Sequence, residues 1–229
     1  MEALRINGRR LWRSLMELAR VGATPKGGVK RITLTEVDRN GRDQFVSWAR
    51  EASLVVRVDA IGNIFCRRAG TDPDAAAVVM GSHLDSQPSG GKFDGAYGVM
   101  AGLEVMRALN DAGVATRAPL EVVSWTNEEG SRFTPVMMGS GVVARVFTLE
   151  HCLAQRDADG VGVGDALKAI GYAGDAASPG LGAYFEAHIE QGSVLEAAKT
   201  TIGVVQGALG QRWFDVVIQG QDAHAGPTP

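Results

Sequence analysis

Cysteine is scarce in this sequence: its 229 residues contain two, Cys66 and Cys152. Two thiols so far apart give neither zinc-type spacing nor a disulfide framework, which fits a reducing, cytoplasmic setting. An excess of one charge is also missing. The net charge is −3 at pH 7 and no long basic run occurs, so nucleic-acid binding has no electrostatic support. Long apolar runs are absent too. Arg5, Arg9, Arg10 and Arg13 interrupt the apolar residues near the N-terminus, which argues against a signal peptide or a membrane span there. There is no internal repeat and no low-complexity tract. Histidine is the last scarcity, with only His83, His151, His188 and His224.

What is present is ordinary for a globular protein: 45% hydrophobic and 21% charged residues, enough for one large or two small domains. Leu11, Leu15 and Leu18 predict a helix within 4–20. Thr35 with Asp38 resembles a capping signal, for a helix running to about Ala52. Two strands, 57–60 and 63–68, are expected to join at Ile61-Gly62. A helix from about Gly95 should stop at Gly113. Residues 120–125 read as a strand interrupted by Glu121, and short helices are expected near Val142, over 149–155 and over 164–170. Strands at 183–189, 202–206 and 213–218 and a helical turn at 193–198 complete the pattern. Alternating strands and helices argue for an α/β layered sheet.

One stretch organises the rest. Val78, Val79 and Met80 form an apolar run ending in Gly81, which predicts a buried strand. His83 and Asp85 follow, on one face of extended backbone. Gly90 and Gly91 permit a sharp turn that returns the chain to Asp94, where a helical pattern starts. The bland alternative is a strand, a polar turn and a capped helix. Yet polar clusters that could bind a metal directly after an apolar strand recur at Glu128-Glu129 and at His188. Borderline divalent ions take imidazole nitrogen and carboxylate oxygen, and a further carboxylate must accept the proton of an activated water. Of the adjacent pair Glu128 and Glu129, one side chain can bind metal while the other faces the water. The alternatives are a solvated acidic turn for the pair and a satisfied core histidine for His188. Asp85 is expected to orient the His83 imidazole through its second nitrogen. His151, in the polar start of a helix, reads as a surface histidine.

At this point six motifs in order come together: Gly-Ser-His-Leu-Asp-Ser, Lys-Phe-Asp-Gly, Asn-Glu-Glu-Gly-Ser-Arg-Phe, Met-Met-Gly-Ser, His-Ile-Glu-Gln-Gly and Ala-His-Ala-Gly-Pro-Thr-Pro. Together they resemble the di-zinc amidohydrolases of the zinc exopeptidase superfamily. The branch is that of N-carbamoyl-L-amino acid hydrolase, β-ureidopropionase and allantoate amidohydrolase. The resemblance implies an α/β fold, a mixed sheet flanked by helices, followed by the start of a small α+β lid or dimerisation domain. It implies two divalent ions, zinc first, with manganese, cobalt or nickel as alternatives. By the same resemblance His83 and His188 are terminal ligands and Asp94 bridges the ions, followed by a cis Asp94-Gly95 peptide. Glu129 is a ligand of the second ion, and Glu128 is the general base. Gln191 contacts substrate, and His224 stabilises the oxyanion across a homodimer.

The expected reaction is hydrolysis of a linear non-peptide C–N bond in a small ureido or carbamoyl substrate. Allantoate hydrolysis, an aminoacylase or exopeptidase acting on a peptide-like amide, and a metal-free binding protein on the same fold remain alternatives. No nucleic-acid or membrane partner is expected. Residues 1–210 are assigned to the catalytic domain and 211–229 to the lid. Because the family's further metal-ligating histidine is absent, the chain reads as the N-terminal part of a longer enzyme, inactive alone.

Overall fold

The computed structural model describes residues 4–210, 212, 214 and 216–227. The chain divides into two compact units, Met1–Ile189 and Glu190–Pro229.

The first unit is built on one five-stranded sheet. Helix α1 (Gly8–Leu18) buries Leu15 and Leu18, as the leucine spacing predicts, and Asn7 caps it. Helix α2 (Glu36–Glu51) begins at Thr35, whose hydroxyl accepts from the Asp38 N–H. Strands β1 (Val55–Val58) and β2 (Ile64–Arg68) follow as an antiparallel pair. Next come β3 (Ala77–His83), α3 (Ala96–Asp111) and β4 (Leu120–Trp125). Three short helices, α4 (Met138–Val143), α5 (Leu149–Leu153) and α6 (Val163–Ala169), precede β5 (Leu181–Phe185). The strand order is β1-β2-β4-β3-β5. Strand β2 pairs antiparallel with β4, while β3 runs parallel to both β4 and β5. The sheet is therefore mixed, and three parallel strands present their C-terminal ends at one edge, where open α/β sheets place ligands.

The larger core lies where Ile64, Cys66, Leu120 and Val122 meet the apolar faces of α1, α2 and α3. A smaller cluster of Phe65, Val79, Val123 and Trp125 belongs to the opposite face. Glu121 interrupts β4 on that second face because two arginines of neighbouring strands neutralise it. Arg57 of β1 reaches both its oxygens at 2.9 Å, and Arg67 of β2 reaches one at 2.8 Å.

Strand β5 ends at Phe185, short of the expected Ile189, because its last rung to β3 is Met80 opposite Phe185. The second unit contains one helical turn, α7 (Val194–Ala197), as expected. It contains no strand among the described residues. The expected strand at 202–206 is exposed chain, with Ile202, Val204 and Val205 each at least 78% exposed. β-Branched residues form a strand only when a neighbouring edge takes up their N–H and C=O groups. The same holds for the described part of the other expected strand, Phe214 and residues 216–218, whereas its start at Trp213 lies outside the described residues.

Candidate metal centre

The site begins where β3 ends. His83 is the last residue of the strand and is buried. Its Nδ1 lies 2.9 Å from the main-chain oxygen of Asp85. The ring packs over Gly95, the N-cap of α3, where a Cβ would collide with the imidazole. Gly95 also has φ = 61°, open to glycine at little cost. The expected cis peptide is absent: Asp94-Gly95 is trans, and the positive φ of Gly95 makes the turn instead.

This turn carries Asp94 back to the strand ends. There His83, Asp94 and His188 bring one candidate ligand atom each within 4.8 Å of one another. His188 Nε2 lies 3.2 Å from Asp94 Oδ1, and the two imidazole centroids are 6.3 Å apart. His188 repeats the arrangement of His83, with Nδ1 2.9 Å from the main-chain oxygen of Ile189. A carbonyl can only accept, so each Nδ1 carries a hydrogen and each neutral ring keeps its lone pair at Nε2. Both Nε2 atoms then face carboxylate oxygens: Asp94 Oδ1 for His188, and Glu128 Oε2, 3.5 Å away, for His83. Two facing acceptors need a proton or a cation between them.

Glu128 and Glu129 follow β4 through Asn127, a buried residue at φ = 52°. The Asn127 amide donates to the carbonyls of Phe133 (2.8 Å) and Pro135 (3.2 Å), tying this turn to the next loop. The Asp85 carboxylate has a different task from the one expected. Its oxygens accept the N–H groups of Glu128 and Glu129, both at 3.3 Å, while the Asp85 carbonyl orients His83. Its nearest approach to His83 Nδ1 is 3.8 Å. Glu129 stands outside the three-residue group. One of its oxygens accepts from the Gln87 amide at 2.8 Å, and the other is buried with no hydrogen-bond donor. Gln87 lies in a turn-like Gln-Pro-Ser stretch, and no spacing signal marks it as a support for this site.

The electrostatics point one way. Burial pushes the Glu128 carboxyl above its usual range, and Asp85 and Glu129 add to this against the His83 imidazole. Burial likewise raises Asp85, with His83 opposing. Burial alone would lower His83, but the charges of Asp85, Glu128 and Glu129 outweigh it and its pKa is raised. Asp85, Glu128 and Glu129 thus all act on the His83 imidazole, and burial keeps Asp85 and Glu128 reluctant to ionise. A buried Glu129 oxygen without a donor and two Nε2 atoms that face carboxylate oxygens suit a divalent cation.

Gln191 and His224 belong to the second unit and are exposed. There the His224 Nδ1 accepts from the Gly226 N–H at 3.1 Å. His151 is exposed in α5, away from any cluster of ligating side chains among the described residues.

The chain matches the model of Peptidase family M20/M25/M40 over residues 79–227. It is 51% identical over 230 residues to an N-carbamoyl-L-amino-acid amidohydrolase of Rhizobium meliloti, covering 100% of this chain and 55% of that protein. It is 47% identical to an N-carbamoyl-L-amino acid amidohydrolase of Geobacillus stearothermophilus, covering 98% and 56%. The structure superposes on a hydantoinase/carbamoylase family amidase from Burkholderia ambifaria with a TM-score of 0.88 at 60% identity. That match covers 89% of this chain and 50% of the other. The chain spans about half the length of the curated relatives it matches.

Proposed function

The chain belongs to Peptidase family M20/M25/M40, and on that premise we propose that it is the metal-binding part of an amidohydrolase that cleaves N-carbamoyl-L-amino acids. The observation that carries this reading is the meeting of His83, Asp94 and His188 at the parallel strand ends, with Glu128 against His83.

His83, Asp94 and His188 would hold one divalent ion, and Asp94 with Glu129 would contribute to a second. Zinc suits this mixed nitrogen and oxygen set, as do manganese, cobalt and nickel. When bound, such ions supply Lewis acidity to a carbonyl oxygen and lower the proton affinity of water. The chain's own groups do the rest. The main-chain carbonyls of Asp85 and Ile189 hold both imidazoles with Nε2 toward the centre. The Asp85 carboxylate fixes the backbone of Glu128 and Glu129.

Glu128 is the general base. Burial keeps its proton affinity high, so it accepts the proton of the attacking water more readily than an exposed glutamate does. It then delivers that proton to the departing nitrogen of the ureido group. We assign Gln191 to substrate contact and His224 to the developing oxyanion in the site of a second subunit. The complete enzyme is then a homodimer, with residues 1–210 in the catalytic domain and 211–229 opening the lid.

The test is a substrate panel on the complete protein: N-carbamoyl amino acids, allantoate, N-acetyl amino acids and dipeptides, with metal content measured alongside. Preferential hydrolysis of N-carbamoyl-L-amino acids by a metal-containing protein is expected. Preference for allantoate or a peptide-like amide, or full turnover without metal, would overturn the reading.

A further inference from the structure

His83 ends β3 and His188 follows β5 by three residues, and these neighbouring strands stop pairing before either histidine is reached. The β3–β5 ladder ends at Met80 opposite Phe185, although β3 continues through Gly81 and Ser82 to His83. On its other side β3 stays paired with β4 as far as His83 opposite Trp125. His83 is thus fixed by backbone pairing, whereas His188 lies three residues past the last rung. Beyond that rung, side chains bridge the two strands. Glu186 accepts a short hydrogen bond from the Ser82 hydroxyl on one oxygen. Its other oxygen accepts from the Tyr184 hydroxyl at 2.6 Å. That hydroxyl lies 3.2 Å from the Gly81 carbonyl and accepts from the Trp125 indole N–H at 2.9 Å. The bridge therefore spans the ends of β3, β4 and β5, and its anchor points neighbour both histidines: Ser82 precedes His83, and Glu186 lies two residues before His188.

We propose that Glu186 is a positioning residue, a carboxylate clamp that replaces the missing rungs between β3 and β5 and sets the spacing of His188 from His83. It touches neither imidazole; it acts through the strand ends. A carboxylate suits the position because it accepts from two hydroxyls at once and lacks a competing donor. A cation shared by the two imidazoles needs their Nε2 atoms held at ligand distance. Without the clamp that distance depends on unpaired chain, and part of the binding energy goes into ordering it.

The inference rests on the metal-binding reading above, and the experiment separates the two. Cobalt(II) is titrated into the metal-free complete protein and followed by visible absorption, for wild type, Glu186→Ala, Glu186→Gln and Tyr184→Phe. Melting midpoints of the metal-free proteins are recorded in parallel. Glu186→Ala should weaken cobalt binding by about 10- to 100-fold, the usual cost of losing a supporting group outside the ligand set, with little change in the metal-free midpoint. Glu186→Gln should recover most of the affinity, because an amide oxygen still accepts and the amide N–H₂ can bond the other hydroxyl. Tyr184→Phe removes a single hydroxyl and should give a smaller loss of the same kind; it also decides the matter if Glu186→Ala fails to fold. Unchanged affinity in Glu186→Ala or, if that variant does not fold, in Tyr184→Phe would overturn the clamp. So would a Gln variant as weak as the Ala variant, because negative charge rather than geometry would then be at work. A wild-type protein that binds no cobalt would overturn the metal reading and the clamp together.

Discussion

The two ends of strand β4 contain the same kind of residue in opposite states. Near its start Glu121 is fully buried between Arg57 and Arg67, and its oxygens accept three hydrogen bonds of 2.8–2.9 Å. Just past its end the Glu128 and Glu129 N–H groups are held by the Asp85 carboxylate, and the Glu128 carboxylate lies 3.5 Å from the His83 imidazole. At the first end the protein neutralises its own charge. At the second it gathers acidic side chains beside a histidine and leaves one buried Glu129 oxygen without a hydrogen-bond donor. Buried polar groups are normally paired, because an unpaired one keeps its full desolvation cost. The unpaired Glu129 oxygen at the second end is one that the cation proposed above would take up.

The contrast is open to breaking. The largest effect is expected at the open end: Glu128→Gln in the complete protein should lose about 10²- to 10⁴-fold in turnover, the usual worth of a general base, while metal content stays unchanged. Near-normal turnover would assign proton transfer to another group. The closed end should answer in stability instead. Glu121→Ala leaves two arginines facing each other and should cost about 3 kcal/mol, the low end for a broken buried pair because both arginines reach solvent, measured by urea denaturation. A loss of a few tenths would show that the charges there are already screened.

A third experiment sharpens the difference. Adding a divalent cation at about one hundred times its dissociation constant should stabilise the protein by about 2.7 kcal/mol. Asp94→Asn should abolish that gain while leaving the metal-free protein near wild-type stability, since the amide keeps the side chain's shape and an oxygen toward His188 but loses the charge a cation needs. Equal stabilisation of both proteins would place the cation elsewhere.

The smallest effect is in pH dependence. Glu128 and Asp85, raised chiefly by burial, and His83, raised by its carboxylate neighbours, all hold protons more tightly in the folded state. Their stabilising contribution is present below the unfolded pKa values and is lost as pH rises through the folded ones. The metal-free protein should therefore lose stability as pH rises from the acidic range toward neutrality and above. Glu128→Gln should show a shallower decline in melting midpoint over that window. An equal slope in both proteins would remove Glu128 from the crowd.

Much of this arrangement was legible in the sequence, for local reasons. The apolar runs at 78–80 and 120–125 are strands, the second buried on both faces and the first burying Val79 with Val78 and Met80 half-buried. Thr35 and Asp38 announce α2, whereas the expected turn at Gly90-Gly91 is replaced by turns at 88–89 and 94–95, with Gly90 bridged to Val29. What stayed hidden depends on partners far along the chain. Glu121 looks like a flaw in its strand until Arg57 and Arg67 arrive from β1 and β2. Ile202, Val204 and Val205 have strand propensity and no strand, because propensity cannot supply a neighbouring edge. The spacing of His83 and Asp85 suggests a carboxylate behind the imidazole, yet the Asp85 main-chain oxygen stands there instead, since residue spacing carries no record of where a main-chain carbonyl points. Gln87 was missed for a similar reason: its amide reaches across 42 positions to Glu129.

The carbonyls behind the two imidazoles have a consequence for redesign. Each ring is aimed by a peptide oxygen one or two residues further along its own loop, so the instruction for its orientation travels with the histidine. The turn of each ring is thus set locally, whereas the distance between the two rings is what the proposed Glu186 clamp governs. The walls that choose a substrate can then be rebuilt around a fixed centre, and a library that varies them while sparing 82–85, Asp94, 128–129 and 184–189 should keep its cation-binding members in far higher proportion than one that also randomises 83–85 and 188–189.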